Sequence, residues 1–530
     1  MALPRSPLYL VTQREALPPG VSLEQCVQEA LQGGVEIVQL REKHADSREF
    51  LEIARGLQTI CDAAEVPLVI NDRVDIALAC GCRAVHLGQS DLSVKDVCAL
   101  MPTAKSIGVS AHDVSEATVA CATDDVSLIG IGPIYATTSK SDAKEALGPR
   151  KLARIIDALR AYERTLSSAN GRVSIVAIGG INASNAARVL HMTCNFDTGE
   201  TEAGLAVISA IVSSPRPREA AQSLSDILAD YRSEGRSHKP SREDLLANVV
   251  RLHDSSRESG GLLHHITNTV VQNQCANVAL ALRASPIMSM SPEEAGDLSA
   301  ILGCLVINLG TLTDDSLRVM KEAGRHANSN KKPIVFDPVG VGASAFRQSK
   351  TDQLLDHVQM SIIKGNAGEL AALSGDKSVR ARGVDSAGGF ADPVKAVRDL
   401  ARQERCVVVL TGQIDYISDG MTVIKLSNGV PHLGNITGSG CATGTCIAAY
   451  ASAAHSMSTT MRATVPQASI WGGGDMLSAA VGGILAMTVA AEIAMEKQPG
   501  GPSTFTGHLI DALYNLTAQN LVERARVEVV

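Results

Sequence analysis

Aromatic residues make up only 3% of this 530-residue chain, with a single Trp. Positive charge is not in excess either: 48 Lys and Arg against 56 Asp and Glu leave a net charge of −8. A nucleic-acid surface needs basic stripes or aromatic stacking platforms, so these shortages exclude one. CxxC pairs are absent, and the 12 cysteines are scattered without a dense framework. That pattern suits reduced, mostly buried thiols in a cytosolic protein. The closest pair, in Cys80-Gly81-Cys82, reads as a helix end. Long apolar runs are missing too. A strongly apolar uncharged run, 476–491, is shorter than the roughly 20 residues a membrane span needs. It carries Gly482-Gly483 and reads as a buried core helix, so no membrane is expected. Arg5 and Pro7 precede a short strand with no apolar stretch behind it, so no signal peptide is expected and the location reads as cytoplasmic. Neither a Walker A nor a GxGxxG pattern occurs, which removes a P-loop or nicotinamide fold.

What is present fits two domains, since 530 residues exceed one ordinary core. In the first half, apolar β-rich runs fall at 8–11, 35–40, 67–70, 84–87, 105–109, 127–131, 174–178 and 205–208, with helix-like spacing between them. Continuous apolar strands alternating with helices predict a parallel sheet, and eight such units predict a (β/α)8 TIM barrel. Barrel active sites lie at the C-terminal strand ends. Those ends read Gln39-Leu40-Arg41-Glu42-Lys43, Asn71-Asp72, Gln89-Ser90-Asp91, Ser110-Ala111-His112, Thr137-Thr138-Ser139-Lys140, Gly179-Gly180 and Ile208-Ser209. Arg41, Lys43 and Lys140 supply charge for phosphates. Asp72 and Asp91 supply hard oxygen ligands for Mg²⁺. The ends of strands seven and eight are the usual phosphate station. The long charged loop after Lys140 and the acidic insertion at 195–202 are both expected to decorate the mouth.

This set of motifs resembles thiamine-phosphate synthase over residues 7–228. The resemblance implies that a pyrimidine methyl diphosphate is joined to a thiazole ethyl phosphate with release of pyrophosphate. By resemblance, Gln39, Arg41, Lys43, Asn71, Ser110 and Lys140 bind the pyrimidine diphosphate, and Asp72 and Asp91 hold its Mg²⁺. Thr137, Thr138, Ser139, Gly180, Ile208 and Ser209 are implied to hold the thiazole phosphate.

In the second half, strand-like runs at 286–289, 305–309, 334–336, 361–363 and 407–410 lead to a hairpin of 416–418 and 421–426 around Asp419-Gly420. Helical patterns follow at 441–454, 476–497 and 506–525, with 456–474 expected to loop out. A doubly wound α/β sheet is the economical reading, with ligands at the C-terminal strand edge. Asn435-Ile436-Thr437-Gly438-Ser439-Gly440-Cys441 opens the first of these helices. Small residues there let a ligand approach unpaired backbone N–H groups, which makes an anion cradle with a thiol at its mouth. The helix dipole is expected to lower the pKa of Cys441. Asp337, Asn366 and Glu369 could hold Mg²⁺, and with the cradle they describe ATP-dependent phosphoryl transfer. His264 and His265 read as structural.

These motifs resemble hydroxyethylthiazole kinase of the ribokinase-like superfamily. The matching pieces are His264-His265-Ile266-Thr267-Asn268, Ala284-Ser285-Pro286-Ile287-Met288, the Asp337 turn, the Gly365 turn through Glu369, Thr411-Gly412, Thr437 to Cys441 and Ile510 to Asn515. The resemblance implies that Met288 and Gly438 contact the thiazole alcohol and that Arg347, Thr411, Asn366 and Glu369 serve ATP. Cys441, where related sugar and vitamin kinases carry Asp, is implied to lie beside the substrate hydroxyl as the catalytic group. It also implies an oligomer in multiples of three. The expected layout is a synthase barrel over 1–231, a polar linker over 232–243 and a kinase domain over 244–530, the two making adjacent steps of one pathway. Two rivals stand beside it. A pyrimidine or pyridoxal kinase is opposed by Cys441, and a silent thiamine-responsive regulator by the intact Asp72, Asp91 and Cys441.

Overall fold

The computed structural model describes residues 4–530 apart from 103, 105, 138, 140–143, 167–172, 196–197, 233–239, 377–379, 383–384, 388 and 462–473. The chain divides into two units, Met1–Arg236 and Ser237–Val530.

In the first unit the short aliphatic runs form β1 (Leu8–Val11), β2 (Ile37–Leu40), β3 (Leu68–Asn71), β4 (Ala84–Leu87), β5 (Ser106–Ala111), β6 (Val126–Ile131), β7 (Ser174–Ile178) and β8 (Gly204–Val207). Each pairs in parallel with the next, and β8 pairs with β1, so the sheet closes into the expected eight-stranded barrel. Helix Ser47–Ala63 shows how the outer layer is encoded. The Asp46 side chain caps it by accepting from the Arg48 and Glu49 amides, and Phe50, Ala54, Leu57 and Cys61 fall on its buried face.

At the mouth, β6 and β7 approach closely. A Cβ on Gly132 would lie 2.1 Å from Ile178 O, and one on Gly180 would lie 2.7 Å from Ala136 O. Gly179 and Gly180 also have φ of +101° and +65°. Only glycine meets both demands, and the loop after β6 is thereby seated on the turn after β7. The acidic insertion before β8 does not decorate the mouth as expected. Ser6 Oγ donates to Thr201 O at 3.0 Å, Thr201 N donates to Tyr231 O at 2.8 Å, and Arg160 Nε donates to Glu202 Oε2 at 3.0 Å. A helix-to-strand connection meets its strand at the N-terminal end, which places these residues at the opposite face of the barrel.

The second unit is built on a nine-stranded sheet. Its strands are β9 (Leu262–Ile266), β10 (Ser285–Ile287), β11 (Cys304–Asn308), β12 (Ile334–Asp337), β13 (Ile362–Asn366), β16 (Val407–Thr411), β17 (Asp415–Ser418), β18 (Val423–Leu426) and β19 (Val527–Val529), while β14 (Arg380–Arg382) and β15 (Asp385–Ala387) form a separate antiparallel pair. The sheet order is β10-β9-β11-β12-β13-β16-β17-β18-β19. The first six are parallel and the last three add an antiparallel edge. Successive residues of β12 alternate between two cores: Val335 packs toward one and Ile334 and Phe336 toward the other. A parallel sheet covered on both faces explains the uninterrupted apolar runs.

Helix Met476–Glu496 has the length and apolarity of a membrane span, yet 17 of its 21 residues are buried in this unit. It packs closely on helix Ser439–Met461, with glycines at the contact. A Cβ on Gly482 would lie 2.4 Å from Tyr450 Cδ1, and one on Gly483 would lie 2.4 Å from Ile447 Cα. The helix opened by the Gly-rich turn continues to Met461, beyond its expected end, so the first part of 456–474 is helical. The tail helix expected over 506–525 is two helices, Pro502–Tyr514 and Ala518–Arg524.

Candidate functional site

The barrel gathers its polar groups at the expected rim. Lys43, beyond β2, places Nζ 2.6 Å from Asp72 Oδ2, just beyond β3. Asp72 has φ of +60°, an uncommon left-handed conformation that Asp tolerates better than most residues. Asp91 Oδ2 accepts from Gly88 N at 2.6 Å, and the Asp72 and Asp91 carboxyls are hydrogen-bonded to each other. Burial and the neighbouring Asp72 push the Asp91 carboxyl up. Burial acts the same way on Asp72, but hydrogen bonds from Asp91, Lys43 and Asn71 outweigh it and hold Asp72 below the usual carboxylate range. Two adjacent hard carboxyls form a donor set suited to a divalent cation. No group of three or more His, Cys, Asp or Glu that could hold a metal ion by itself occurs among the described residues. The rest of such a cation's shell would come from water and substrate oxygens, as is usual for Mg²⁺.

Deeper in the barrel, Gln39 Nε2 donates to Tyr9 Oη at 2.8 Å and Ser110 Oγ lies 3.0 Å from His86 Nε2. His86, on β4, was not among the residues expected from sequence. Its only signal is indirect: a Cβ on Gly108 would fall 2.4 Å from His86 Nδ1, so β5 needs a glycine to admit the ring. Arg41 N donates to Thr12 Oγ1 at 3.0 Å, which ties the turns after β1 and β2. Thr137 Oγ1 accepts from Ser139 N at 3.2 Å on the loop seated against Gly180. Ile208 and Ser209 open a short helix, Ser209–Val212, directly after β8. Thr138 and Lys140 lie outside the described residues.

In the second unit four strand ends converge on the start of helix Ser439–Met461. Lys364 Nζ, on β13, lies 3.2 Å from Asp337 Oδ1, on β12, and donates to Gly440 O at 3.0 Å. Burial alone would lower the lysine, but Asp337 and Glu369 hold it above its ordinary value. Asn308 Nδ2, on β11, donates to Asp337 Oδ2 at 3.0 Å and to Cys441 Sγ at 3.3 Å. Asn268, beyond β9, donates to Asn308 Oδ1 at 3.0 Å. Sequence reasoning gave no role to Lys364, Asn268 or Asn308, because each is defined by a partner on another strand.

The expectation for the Cys441 thiol is overturned. Burial and the nearby Asp337 push it up to about 12, and these outweigh Lys364 and the Asn308 amide. Glu369 is raised to about 7 by burial and Asp337, although its carboxylate accepts from Gly340 N at 3.1 Å and Asn366 N at 2.9 Å. Asn366 Oδ1 accepts from Glu369 N at 3.0 Å, closing a capping box on helix Ala367–Ser374. Arg347 Nη1 donates to Leu309 O at 2.8 Å and Val339 O at 3.0 Å, bracing the turns after β11 and β12. Thr411 Oγ1 donates to Gly365 O at 3.4 Å. Gly438 has φ of +73°, and a Cβ there would lie 2.5 Å from Val271 Cγ1. Met288 follows β10, beside Ser289, whose carbonyl lies 2.9 Å from His264 Nε2. His264 and His265 are buried strand residues, as their structural reading expected.

Both units match known families. Residues 8–211 match the thiamine monophosphate synthase family and residues 254–519 the hydroxyethylthiazole kinase family. The chain is 34% identical to a probable thiamine biosynthetic bifunctional enzyme of Schizosaccharomyces pombe, covering 98% of each chain. It is 33% identical to the thiamine biosynthetic bifunctional enzyme of Saccharomyces cerevisiae, covering 98% of this chain and 96% of that one. Hydroxyethylthiazole kinase of Desulforudis audaxviator is 40% identical across 51% of this chain and 92% of its own. The chain therefore belongs to the bifunctional thiamine-biosynthetic enzymes, in which a thiamine-phosphate synthase barrel is followed by a hydroxyethylthiazole kinase domain.

Proposed function

We propose that the second unit transfers the γ-phosphoryl group of ATP to the hydroxyl of 4-methyl-5-(2-hydroxyethyl)thiazole. The first unit then joins that thiazole phosphate to 4-amino-2-methyl-5-(diphosphomethyl)pyrimidine, giving thiamine phosphate and pyrophosphate. The observation that carries the reading is the Lys43–Asp72–Asp91 group at the barrel mouth, a cation beside two contacting carboxyls.

In the barrel, departure of a diphosphate leaves a carbocation that the aminopyrimidine can stabilise, and the thiazole nitrogen attacks it. Arg41 and Lys43 bind the diphosphate and offset the charge that develops as it leaves. Gln39 and Ser110 orient the pyrimidine, each held by an interior partner, Tyr9 or His86. Asp72 and Asp91 would hold Mg²⁺, which when bound supplies further neutralisation of the leaving group. In the second unit, Lys364 places a buried positive charge beside Gly440 and Cys441. Phosphoryl transfer depends mainly on positioning and charge neutralisation. The Asn308-held thiol of Cys441 positions the alcohol, and the Gly438 turn lets it approach the backbone. Assembly in multiples of three and a cytoplasmic location complete the reading, on the resemblance to thiazole kinases and on the scattered thiols.

Purified full-length chain given Mg²⁺, ATP, the thiazole alcohol and the pyrimidine diphosphate should make thiamine phosphate. Omitting ATP should stop synthesis, and adding the thiazole phosphate should restore it. No thiamine phosphate from the two phosphorylated substrates would end the synthase reading.

A further inference from the structure

We propose that Cys80 and Cys82 form a redox-active thiol pair at the foot of the barrel, which a peroxide oxidises to an intramolecular disulfide. The site stands apart from both reaction centres. Helix Val74–Cys80 starts two residues after Asp72 at the mouth and runs to the opposite end, where β4 begins at Ala84. Gly81 turns the chain between the two thiols, with φ of +75° and ψ of 12°. Two trans peptide units separate the Cys Cα atoms by at most about 7.6 Å, and a bend at the middle residue shortens that toward the usual disulfide range.

The two thiols lie close enough to act on each other: the Cys82 thiol and backbone N–H both favour the Cys80 thiolate, while Cys80 Sγ itself lies 3.5 Å from Ala77 O. Cys82 is buried, with Sγ 3.1 Å from Leu68 O and 3.4 Å from Ala84 O, whereas Cys80 is half-exposed. An attacking thiol that solvent can reach thus sits against a resolving thiol that it cannot. The carbonyl end of a helix disfavours an anion, but the Cys82 thiol and amide, with Arg55 nearby, more than offset this and bring Cys80 down to about 6. Burial moves other thiols the opposite way: Cys26, Cys121 and Cys275 rise to about 11 and Cys61 to about 12.

The chemistry balances with one peroxide. The Cys80 thiolate attacks a peroxide oxygen; an S–O bond forms, the O–O bond breaks, and the departing hydroxide takes a proton to become water. The Cys82 sulfur then attacks the Cys80 sulfenic sulfur; the S–S bond forms, the S–O bond breaks, and hydroxide leaves with the Cys82 thiol proton as a second water. Two thiols are oxidised and one peroxide is reduced to two waters.

Trypsin should release both cysteines in one peptide, because Arg73 precedes Val74 and Arg83 follows Cys82. Reduced full-length protein is treated with hydrogen peroxide, alkylated, unfolded and digested. The peptide is expected to lose two hydrogens and refuse alkylation at both positions, and dithiothreitol should reverse this. Cys80→Ser should slow oxidation of this peptide by at least about tenfold. Cys82→Ser should leave a sulfenic acid on Cys80 that dimedone traps. The proposal is overturned if peroxide that oxidises free glutathione leaves both cysteines open to alkylation. It is equally overturned if Cys82 is found joined to Cys61, its other neighbouring thiol.

Discussion

The amide of Asn308 joins Cys441 to Asp337: one nitrogen lies 3.3 Å from the thiol sulfur and 3.0 Å from the carboxylate oxygen. With the thiol raised to about 12, it keeps its proton at neutral pH. A side chain in that state holds the alcohol instead of deprotonating it. Cys441→Ser should therefore keep kcat within about fivefold, and Cys441→Ala should lose about tenfold with little change in KM for the thiazole alcohol. Cys441→Asp would set a second carboxylate near Asp337 and should be the worst of the three. Steady-state kcat at saturating ATP ranks them, and an Asp variant as fast as the parent would reinstate a general base.

Lys364 and Asp337 are nearly inaccessible, with side chains 4% and 2% exposed. Removing one partner strands the other charge in the interior, which costs about 3–5 kcal/mol. Lys364→Met should lower the unfolding free energy of the second unit by that order and abolish the kinase. Lys364→Met with Asp337→Leu should recover much of the stability and none of the activity. Urea unfolding beside a kinase assay tests both, and a single variant as stable as the parent would mean the charge is not confined.

The barrel was legible because its strands are unbroken aliphatic runs and its rim residues follow them directly. Strand β9 was not, although it lies inside the sheet. Its Leu-Leu-His-His-Ile sequence breaks the apolar run with two imidazoles. Burial, with His264 beside it, depresses His265 to about 4, so it stays neutral and sits in the core like an apolar side chain. Strand β19 is three residues long and follows Arg524 and Arg526, so only its pairing to β18 defines it. The glycine-rich turn before helix Ser439–Met461 could be read from local order, whereas Lys364 could not. A lysine in sequence reads as solvated, and its burial is set by Asp337 on the neighbouring strand.

Asp415 gives the second unit a pH dependence. Burial raises its carboxyl from 3.8 to about 7, although Gly412 N donates to it at 2.9 Å. The folded state therefore holds a proton that the unfolded state has released, and stability is lost as pH rises from about 4 to about 7. The full effect is of the order of 4 kcal/mol. Asp415→Asn keeps an oxygen for Gly412 and cannot ionise. It should melt above the parent at pH near 8 and close to it near pH 4. A constant difference across that range would show that Asp415 does not titrate with folding.

Separating the chain between residues 236 and 237 should give two folded, active proteins, because each unit has its own core. Soluble expression of each half, with pyrophosphate release from the first and ATP-dependent phosphorylation by the second, is the expected result. Halves that are active only after mixing would show a shared core.

The Asp72–Asp91 pair permits a test that separates charge from backbone. Asp72 has φ of +60°, a conformation that Asn adopts as readily as Asp and that Ala resists. Asp72→Ala would therefore confound loss of the carboxylate with strain in the turn before helix Val74–Cys80. Asp72→Asn retains the turn and the shape of the side chain and removes only the negative charge. If the carboxyl pair holds a divalent cation against the departing diphosphate, Asp72→Asn should slow pyrophosphate release by about a hundredfold or more. Its melting temperature and its kinase rate should match the parent. Raising Mg²⁺ should recover part of the loss, because the remaining Asp91 carboxyl still offers oxygen ligands. Parental pyrophosphate release from both Asp72→Asn and Asp91→Asn would show that the pair is a surface contact and that the diphosphate is held elsewhere.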